Sequence, residues 1–373
     1  MKVENRNSVV MKSKEPSSEE SNRTLKEFSE SSKSLPSKSL DSPESLESSV
    51  AVLGVGSWGT ALASVLARNG HSVRIWDIDA EVLNELQNEG LNSKYLPGIQ
   101  LPKGLQAYLH LKDALAGVRY ILIAVPSHVF SNLIQQLKPL LTEKQSIITA
   151  TKGLEPKTGE FLHQVVEQIL GHTLPYAVLS GPSFAREVAR GFPTAVSVAS
   201  TNQQFALEVA NYFRNRLFAV YTTQDVLGVQ LGAVVKNVLA VAVGVSDGLG
   251  FGANARAALM TRGLAEMVTL GQSLGADQNT LMGLTGCGDI ILTCTDNQSR
   301  NRRFGLALAE GLSEALALQK VGQVVEAVYN VRQLCHLAEA QGVVMPIAEQ
   351  VFNIIKHGVN PKEALESLFA TTS

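Results

Sequence analysis

Between Val50 and Asp79 the chain reads VAVLGVGSWGTALASVLARNGHSVRIWDID, and no other stretch restricts the fold as much. A short apolar, β-branched run leads into Gly54, Gly56 and Gly59. A helical stretch follows to Asn69-Gly70, and a second strand ends at Asp77. A bare GxGxxG is frequent by chance. One that follows a strand, opens a helix and precedes an acidic residue about twenty positions on is the specific context of a dinucleotide-binding βαβ unit. Gly54 allows the tight turn, Gly56 lets the backbone approach a pyrophosphate, and Gly59 lets helix and strand pack closely. The helix N-terminus offers free N–H groups and the positive end of its dipole to phosphates. Asp77 stands where a carboxylate accepts hydrogen bonds from the adenosine ribose hydroxyls and repels a 2′-phosphate, which favours NAD over NADP. The alternative is a solvated aspartate at a strand end.

Further strands alternate with helices: VRYILIAVPS, ending at Pro126, then QSIITATKG, PYAVLSGPS, TAVSVAS and LFAVYTT. This alternation predicts a doubly wound, Rossmann-like α/β sheet over residues 50–224. Ligands of such sheets bind beyond the carboxyl ends of the strands, which directs attention to Ser127, His128, Thr151, Lys152 and Ser180 through Ala185. From about Asp225 the strand signals stop, and residues 225–373 are expected to form a helical domain. The first forty-nine residues are rich in serine and mixed charge with few apolar positions. Such a segment cannot bury enough apolar surface to offset its ordering entropy, so residues 1–49 are expected to be a disordered extension. It lacks the apolar core of a signal peptide, and its acidic residues argue against a transit peptide.

The helical half opens with VLGVQLGAVVKNVLAVAVGV, residues 226–245, nearly all apolar but with Lys236-Asn237 at the centre. About 20 apolar residues suffice to cross a bilayer, but a central lysine costs roughly 2.5–3.5 kcal/mol there. A buried helix of a soluble protein is expected instead, with no membrane span. Burial favours the neutral amine, and a lysine with lowered pKa is a base available near neutral pH. The alternative is a lysine whose stem threads out to solvent. Further on, GLTGCGDIILTCTDNQSRNRRFG combines a glycine-rich turn, Asp289 and Thr293 on one helical face, and the cluster Ser299-Arg300-Asn301. The Arg300 guanidinium with the Asn301 amide has the form of an anion clamp, against the alternative of a solvated charge run.

A net charge of −2 gives no sign of a nucleic-acid partner. Cys287, Cys294 and Cys335 are an odd set without paired spacing, which suggests reduced thiols in a cytosolic protein. The histidines are scattered, and no metal is inferred.

The segments GVGSWGTALA, VPSH, TKGLE, SGPSFAREVARGFPTA, VVKNVLAVAVGVSDGLGFGANARAALMTRGLAEM, GLTGCGDIILTCTDNQSRNRRFG and GQVVEA, in this order, resemble the soluble NAD(P)-dependent glycerol-3-phosphate dehydrogenases of the bacterial type. The resemblance runs from Val50 to near the C-terminus. It implies a Rossmann-like domain followed by an all-α domain of the 6-phosphogluconate-dehydrogenase-like type, a cytoplasmic homodimer, and NAD or NADP as cofactor. The implied reaction is reversible reduction of dihydroxyacetone phosphate to sn-glycerol 3-phosphate, the backbone of glycerophospholipids. By the same resemblance Lys236 is the proton acceptor and donor, with Lys152 and Asp289 beside it. Lys152, Gly181, Ser183, Lys236, Asp289, Ser299, Arg300 and Asn301 match substrate-binding positions. Ser57, Trp58, Lys152, Ala185, Arg300, Val324 and Glu326 match cofactor contacts, joining Gly54, Gly56, Gly59 and Asp77. Thr285, Cys287 and Asp77 depart from the usual pattern of the family, the last bearing on the choice between NAD and NADP. Two other readings stay open: a two-domain dehydrogenase acting on a hydroxy acid or sugar derivative, and a dinucleotide sensor that has lost catalysis.

Overall fold

A computed structural model describes residues 49–172 and 174–370. The expected disordered extension lies outside the described residues except for Ser49, which is buried and pairs with Ser72 as the first residue of a strand.

Eight strands form one sheet: β1 (Ser49–Leu53), β2 (Ser72–Trp76), β3 (Leu105–Tyr108), β4 (Tyr120–Ile123), β5 (Ser146–Thr149), β6 (Tyr176–Ser180), β7 (Thr194–Ala199) and β8 (Phe218–Thr223). Their order is β3-β2-β1-β4-β5-β6-β7-β8. The run from β3 to β6 is parallel, β6 and β7 are antiparallel, and β7 and β8 are parallel again. Central strands β1, β4 and β5 are buried along their whole length, as expected of parallel strands covered on both faces. The side chains alternate between two cores: Val50, Val52, Tyr120 and Leu122 on one face, Ala51, Leu53, Ile121 and Ile123 on the other.

The order reverses between β1 and β4, where a doubly wound sheet opens its crevice. Leu53 is in register with Trp76 on one side and Ile123 on the other, and Ile123 with Thr149. The residues just past these ends are therefore neighbours: Gly54, Asp77, the Val125-Pro126-Ser127 turn, and Thr151-Lys152. Helix α1 (Ser57–Arg68) leaves the first turn, and α2 (Ser127–Leu137) leaves the turn after β4.

Strand β3 has no counterpart in the sequence reading, because Leu105–Tyr108 is a four-residue edge strand with half-exposed side chains and no clear alternation. Strands β7 and β8, which both run against the other six, are the other difference from a uniformly parallel sheet. The chain reaches β7 from β6 through one short helix, Ala185–Arg190.

The helical half is built round α3 (Val226–Gly248), whose N-terminus is capped by the Asp225 carboxylate accepting from Gly228 N–H at 2.8 Å. Nearly every residue of α3 is buried, so its apolar length serves a protein interior. Against it pack α4 (Asp289–Thr295), α5 (Arg300–Ala309) and α6 (Glu326–Ala340). Helices α3 and α5 touch backbone to backbone. A methyl on Gly244 would lie 2.2 Å from Arg302 O, and one on Gly305 would lie 2.2 Å from Val241 O. Gly244→Ala must push the helices apart, and overpacking of this kind costs about 1–3 kcal/mol. We expect the variant to melt several degrees below wild type in a thermal denaturation scan. An unchanged melting temperature would contradict this account of the packing.

Candidate active site

At the end of β1 the backbone turns through Gly54 with φ +97, and its N–H bonds Trp76 O at 2.9 Å. A methyl on Gly59 would lie 1.8 Å from Gly54 O, so only glycine lets α1 start this close to the strand. A methyl on Gly56, in contrast, would meet nothing within 4 Å, which leaves open space at the helix N-terminus. The Trp58 indole nitrogen beside it is buried without a hydrogen-bond partner among the described residues. Asp77 Oδ2 accepts from Val55 N–H at 2.7 Å, and Oδ1 from Asp79 N–H at 3.0 Å. The carboxylate thus ties the glycine turn to the end of β2, and is more than a solvated strand end. Open room at Gly56, free N–H groups of α1 and an orphaned indole donor fit a dinucleotide phosphate and its ribose.

Across the cleft, Lys236 points from the middle of α3 at two groups of α4. Its Nζ donates to Asp289 Oδ1 at 3.3 Å and to Thr293 Oγ1 at 3.0 Å, and Thr293 in turn donates to Asp289 Oδ1 at 3.1 Å. Lys236 is 8% exposed and Asp289 1% exposed, so the lysine does not thread out to solvent. From the sheet side Lys152 Nζ donates to Asp289 Oδ2 at 3.1 Å and to Gly181 O at 3.3 Å, and it lies 5.7 Å from the Trp58 ring centre. Ser183 Oγ donates to the same Gly181 carbonyl at 3.0 Å.

Two ammonium groups therefore share one carboxylate. Burial pulls the Lys236 pKa down to about 8; Asp289 opposes this, and Lys152 and Arg300 add to it. Burial works to raise the Asp289 carboxyl, but Lys152 and Lys236 outweigh it and hold the group below its usual value. The result is an ionised carboxylate beside a lysine whose lowered pKa makes it able to give or take a proton near neutral pH. The segment before α4, read as a glycine-rich turn, is a π-helical turn over Leu284–Gly288. It aims Asp289 inward.

The remaining residues divide. Arg300 is half-buried and its guanidinium has no hydrogen-bond or ion-pair partner among the described residues. Desolvation lowers its pKa, while Glu326 raises it and Arg303 lowers it. It is an unsatisfied cation at the cleft. Ser299 caps α5, its Oγ accepting from Arg302 N–H at 3.2 Å. Asn301 does not stand free to form half of a clamp. Its Nδ2 donates to Asn237 Oδ1 at 2.8 Å and its Oδ1 accepts from Ala327 N–H at 3.2 Å, which joins α3, α5 and α6. Glu326 accepts from Ser127 N–H at 3.2 Å and Ser127 Oγ at 2.6 Å, reaching from the helical half to the turn after β4. Ser57 donates to Tyr95 O at 3.0 Å. Ala185 and Val324 are half-buried. The Asn237–Asn301 and Ser127–Glu326 contacts escaped the sequence reading because they join residues 64 and 199 positions apart.

A Rossmann-like sheet with a phosphate cradle, facing a helical half that offers a buried lysine and carboxylate, defines a two-domain dehydrogenase using a nicotinamide dinucleotide. Comparison with known proteins narrows this. The family described as NAD-dependent glycerol-3-phosphate dehydrogenase N-terminus matches residues 49–206, and its C-terminus counterpart matches residues 225–366. A glycerol-3-phosphate dehydrogenase [NAD(P)+] from Actinobacillus pleuropneumoniae serotype 3 is 52% identical over 320 residues, covering 86% of this chain and 95% of the relative. One from Aeromonas salmonicida is 51% identical over 322 residues, covering 86% and 96%. Among solved structures, glycerol-3-phosphate dehydrogenase from Coxiella burnetii superposes with a TM-score of 0.85 at 49% identity, covering 87% of this chain and all of that one. The chain belongs to the NAD-dependent glycerol-3-phosphate dehydrogenase family.

Proposed function

We propose that this protein catalyses reversible transfer of hydride between NAD(P)H and dihydroxyacetone phosphate, forming sn-glycerol 3-phosphate for glycerophospholipid synthesis. The observation that carries the reading is the Lys236–Asp289–Lys152 cluster, set at the carboxyl ends of the strands and opposite the glycine turn. When bound, the nicotinamide would supply the hydride that the ketone carbon takes up. Lys236 gives its proton to the oxygen that becomes the hydroxyl, and takes it back in the oxidative direction. Lys152 lies beside the same oxygen, and the two cations against one carboxylate leave net positive charge where negative charge develops. Asp289 keeps both lysines in place and the Thr293 hydroxyl fixes the direction of Lys236. Arg300, with no hydrogen-bond or ion-pair partner among the described residues, binds the substrate phosphate, assisted by the N-terminus of α5. Gly181 and Ser183 bound the substrate on the sheet side, and Ser299 and Asn301 hold the start of α5 in position for Arg300.

On the cofactor side, Gly54, Gly56 and Gly59 with Ser57 and Trp58 would hold the dinucleotide phosphates, and Asp77 would meet the ribose. Ala185, Val324 and Glu326 would add further cofactor contacts. The domain limits of 50–224 and 225–373, the cytoplasmic location and the homodimer belong to the same reading, carried by the resemblance. Light scattering of the purified chain tests the dimer, which a monomeric mass would contradict.

Absorbance of the reduced nicotinamide, followed on adding dihydroxyacetone phosphate, tests the reaction with NADH and NADPH in parallel. Rapid oxidation is expected, faster with NADH because Asp77 repels a 2′-phosphate. Asp77→Ala should shift the ratio toward NADPH. No oxidation with either cofactor by folded protein would overturn the reading, and faster turnover with NADPH would overturn the role of Asp77.

A further inference from the structure

Asn330 lies one turn into α6, where an asparagine is ordinarily a solvated residue that competes with the helix backbone. Here it is 0% exposed and both ends of its carboxamide are used. Oδ1 accepts from Leu154 N–H at 2.6 Å, and Nδ2 donates to Glu326 O at 2.7 Å and to Glu326 Oε2 at 3.1 Å. Leu154 is two residues past Lys152 and is itself fully buried, so its N–H has no access to water. Glu326 holds Ser127 at the start of α2. The intervening Gly153 has φ +150, and a methyl on it would lie 2.6 Å from Ser127 Cβ and 3.0 Å from Asn330 Nδ2. The turns after β4 and β5 and the first turn of α6 therefore meet at one point. A carboxamide supplies an acceptor for one segment and a donor for the other, which neither a carboxylate nor an aliphatic side chain does.

We propose that Asn330 is a positioning residue for Lys152, fixing the backbone beyond that lysine to the helical half so that its ammonium meets Asp289 and the substrate. The proposal rests on the function proposed above. Lys236 is faced by Asp289, Thr293 and Cys294 from α4, by Lys152 from the turn after β5, and by Arg300 from α5. Of these only Lys152 is held through Leu154. When it is displaced, Lys236 loses a neighbouring like charge and gains a larger share of Asp289, and both changes favour its protonated form.

The test is kcat and KM for dihydroxyacetone phosphate reduction as functions of pH in wild type, Asn330→Ala and Asn330→Asp. Asn330→Ala is expected to lower kcat about ten- to a hundredfold and to move the alkaline limb of its pH profile upward. Asn330→Asp keeps the shape of the side chain but turns an acceptor toward Glu326 O and Oε2 where the amide donated, and should lower kcat and shift the limb as Asn330→Ala does. Wild-type kcat and pH profile in either variant would overturn the proposal. If Asn330→Ala does not fold, Gly153→Ala replaces it. That variant drives a methyl into the same contact with Asn330 intact, and the upward shift is again expected, whereas a wild-type profile overturns the proposal. Absence of turnover in the wild-type protein would instead contradict the function itself.

Discussion

Replacing Lys236 by alanine is expected to lower kcat for dihydroxyacetone phosphate reduction by about 10²–10⁴-fold, the usual contribution of a positioned acid or base. KM for NADH should stay close to wild type, because Lys236 stands on the helical side of the cleft and the glycine cradle on the other. The size of the effect follows from the isolation of the group. Thr293 and Asp289 are the side chains it touches, and neither an alcohol nor an ionised carboxylate supplies a proton near neutral pH. Lys152 is nearby but is bound to Asp289 Oδ2 and Gly181 O. Lys236→Met, which keeps the length of the side chain without its charge, should be as inactive as the alanine variant and so separate lost chemistry from lost packing. Turnover near wild type in either variant, measured by nicotinamide absorbance, would remove Lys236 from the mechanism.

Arg300→Ala should act on binding. A hydrogen bond to a charged group contributes about 1.5–3 kcal/mol, and loss of a full phosphate contact at the upper part of that range corresponds to roughly a 30- to 150-fold rise in KM. With no hydrogen-bond or ion-pair partner among the described residues, the guanidinium makes this contact without breaking another. Unphosphorylated dihydroxyacetone, which offers no anion to Arg300, should be turned over equally poorly by wild type and variant. The preference for the phosphorylated ketone therefore shrinks in the variant, as expected where binding energy at a remote group positions the reacting carbon. An unchanged KM for dihydroxyacetone phosphate would show that another group holds the phosphate.

Much of this arrangement was legible in the sequence because it is carried by local chemistry. Gly54 and Gly59 shape one turn and Asp77 ties it to the following strand, so their places in the fold follow from spacing. Asp289 and Thr293 fall one helical turn apart and do meet, at 3.1 Å. The buried lysine was conspicuous as a charge within an apolar run, although the run did not reveal its partner 53 residues away. What was not legible depends on tertiary contact. Edge strand β3 has neither length nor alternation to mark it, and the reversed β7 and β8 reflect how the chain returns across the sheet. Asn301 looked like one arm of an anion clamp beside Arg300, but its carboxamide ties α3 to α6. Asn330, on a helix whose pattern marks it as ordinary, joins segments more than 170 positions apart.

In the proposed mechanism burial, Asp289, Lys152 and Arg300 together tune Lys236 to exchange its proton near neutral pH, and the pH dependence of kcat reads that tuning. In the reductive direction the protonated amine is required. With its pKa lowered to about 8, kcat should be full below that pH and fall as pH rises through it. In the oxidative direction the neutral amine is required, and kcat should rise through the same region. Opposite limbs centred near pH 8, both absent from the residual activity of Lys236→Ala, are the predicted result. A reductive kcat that stays level to about pH 10, the range of an ordinary lysine, would contradict the account.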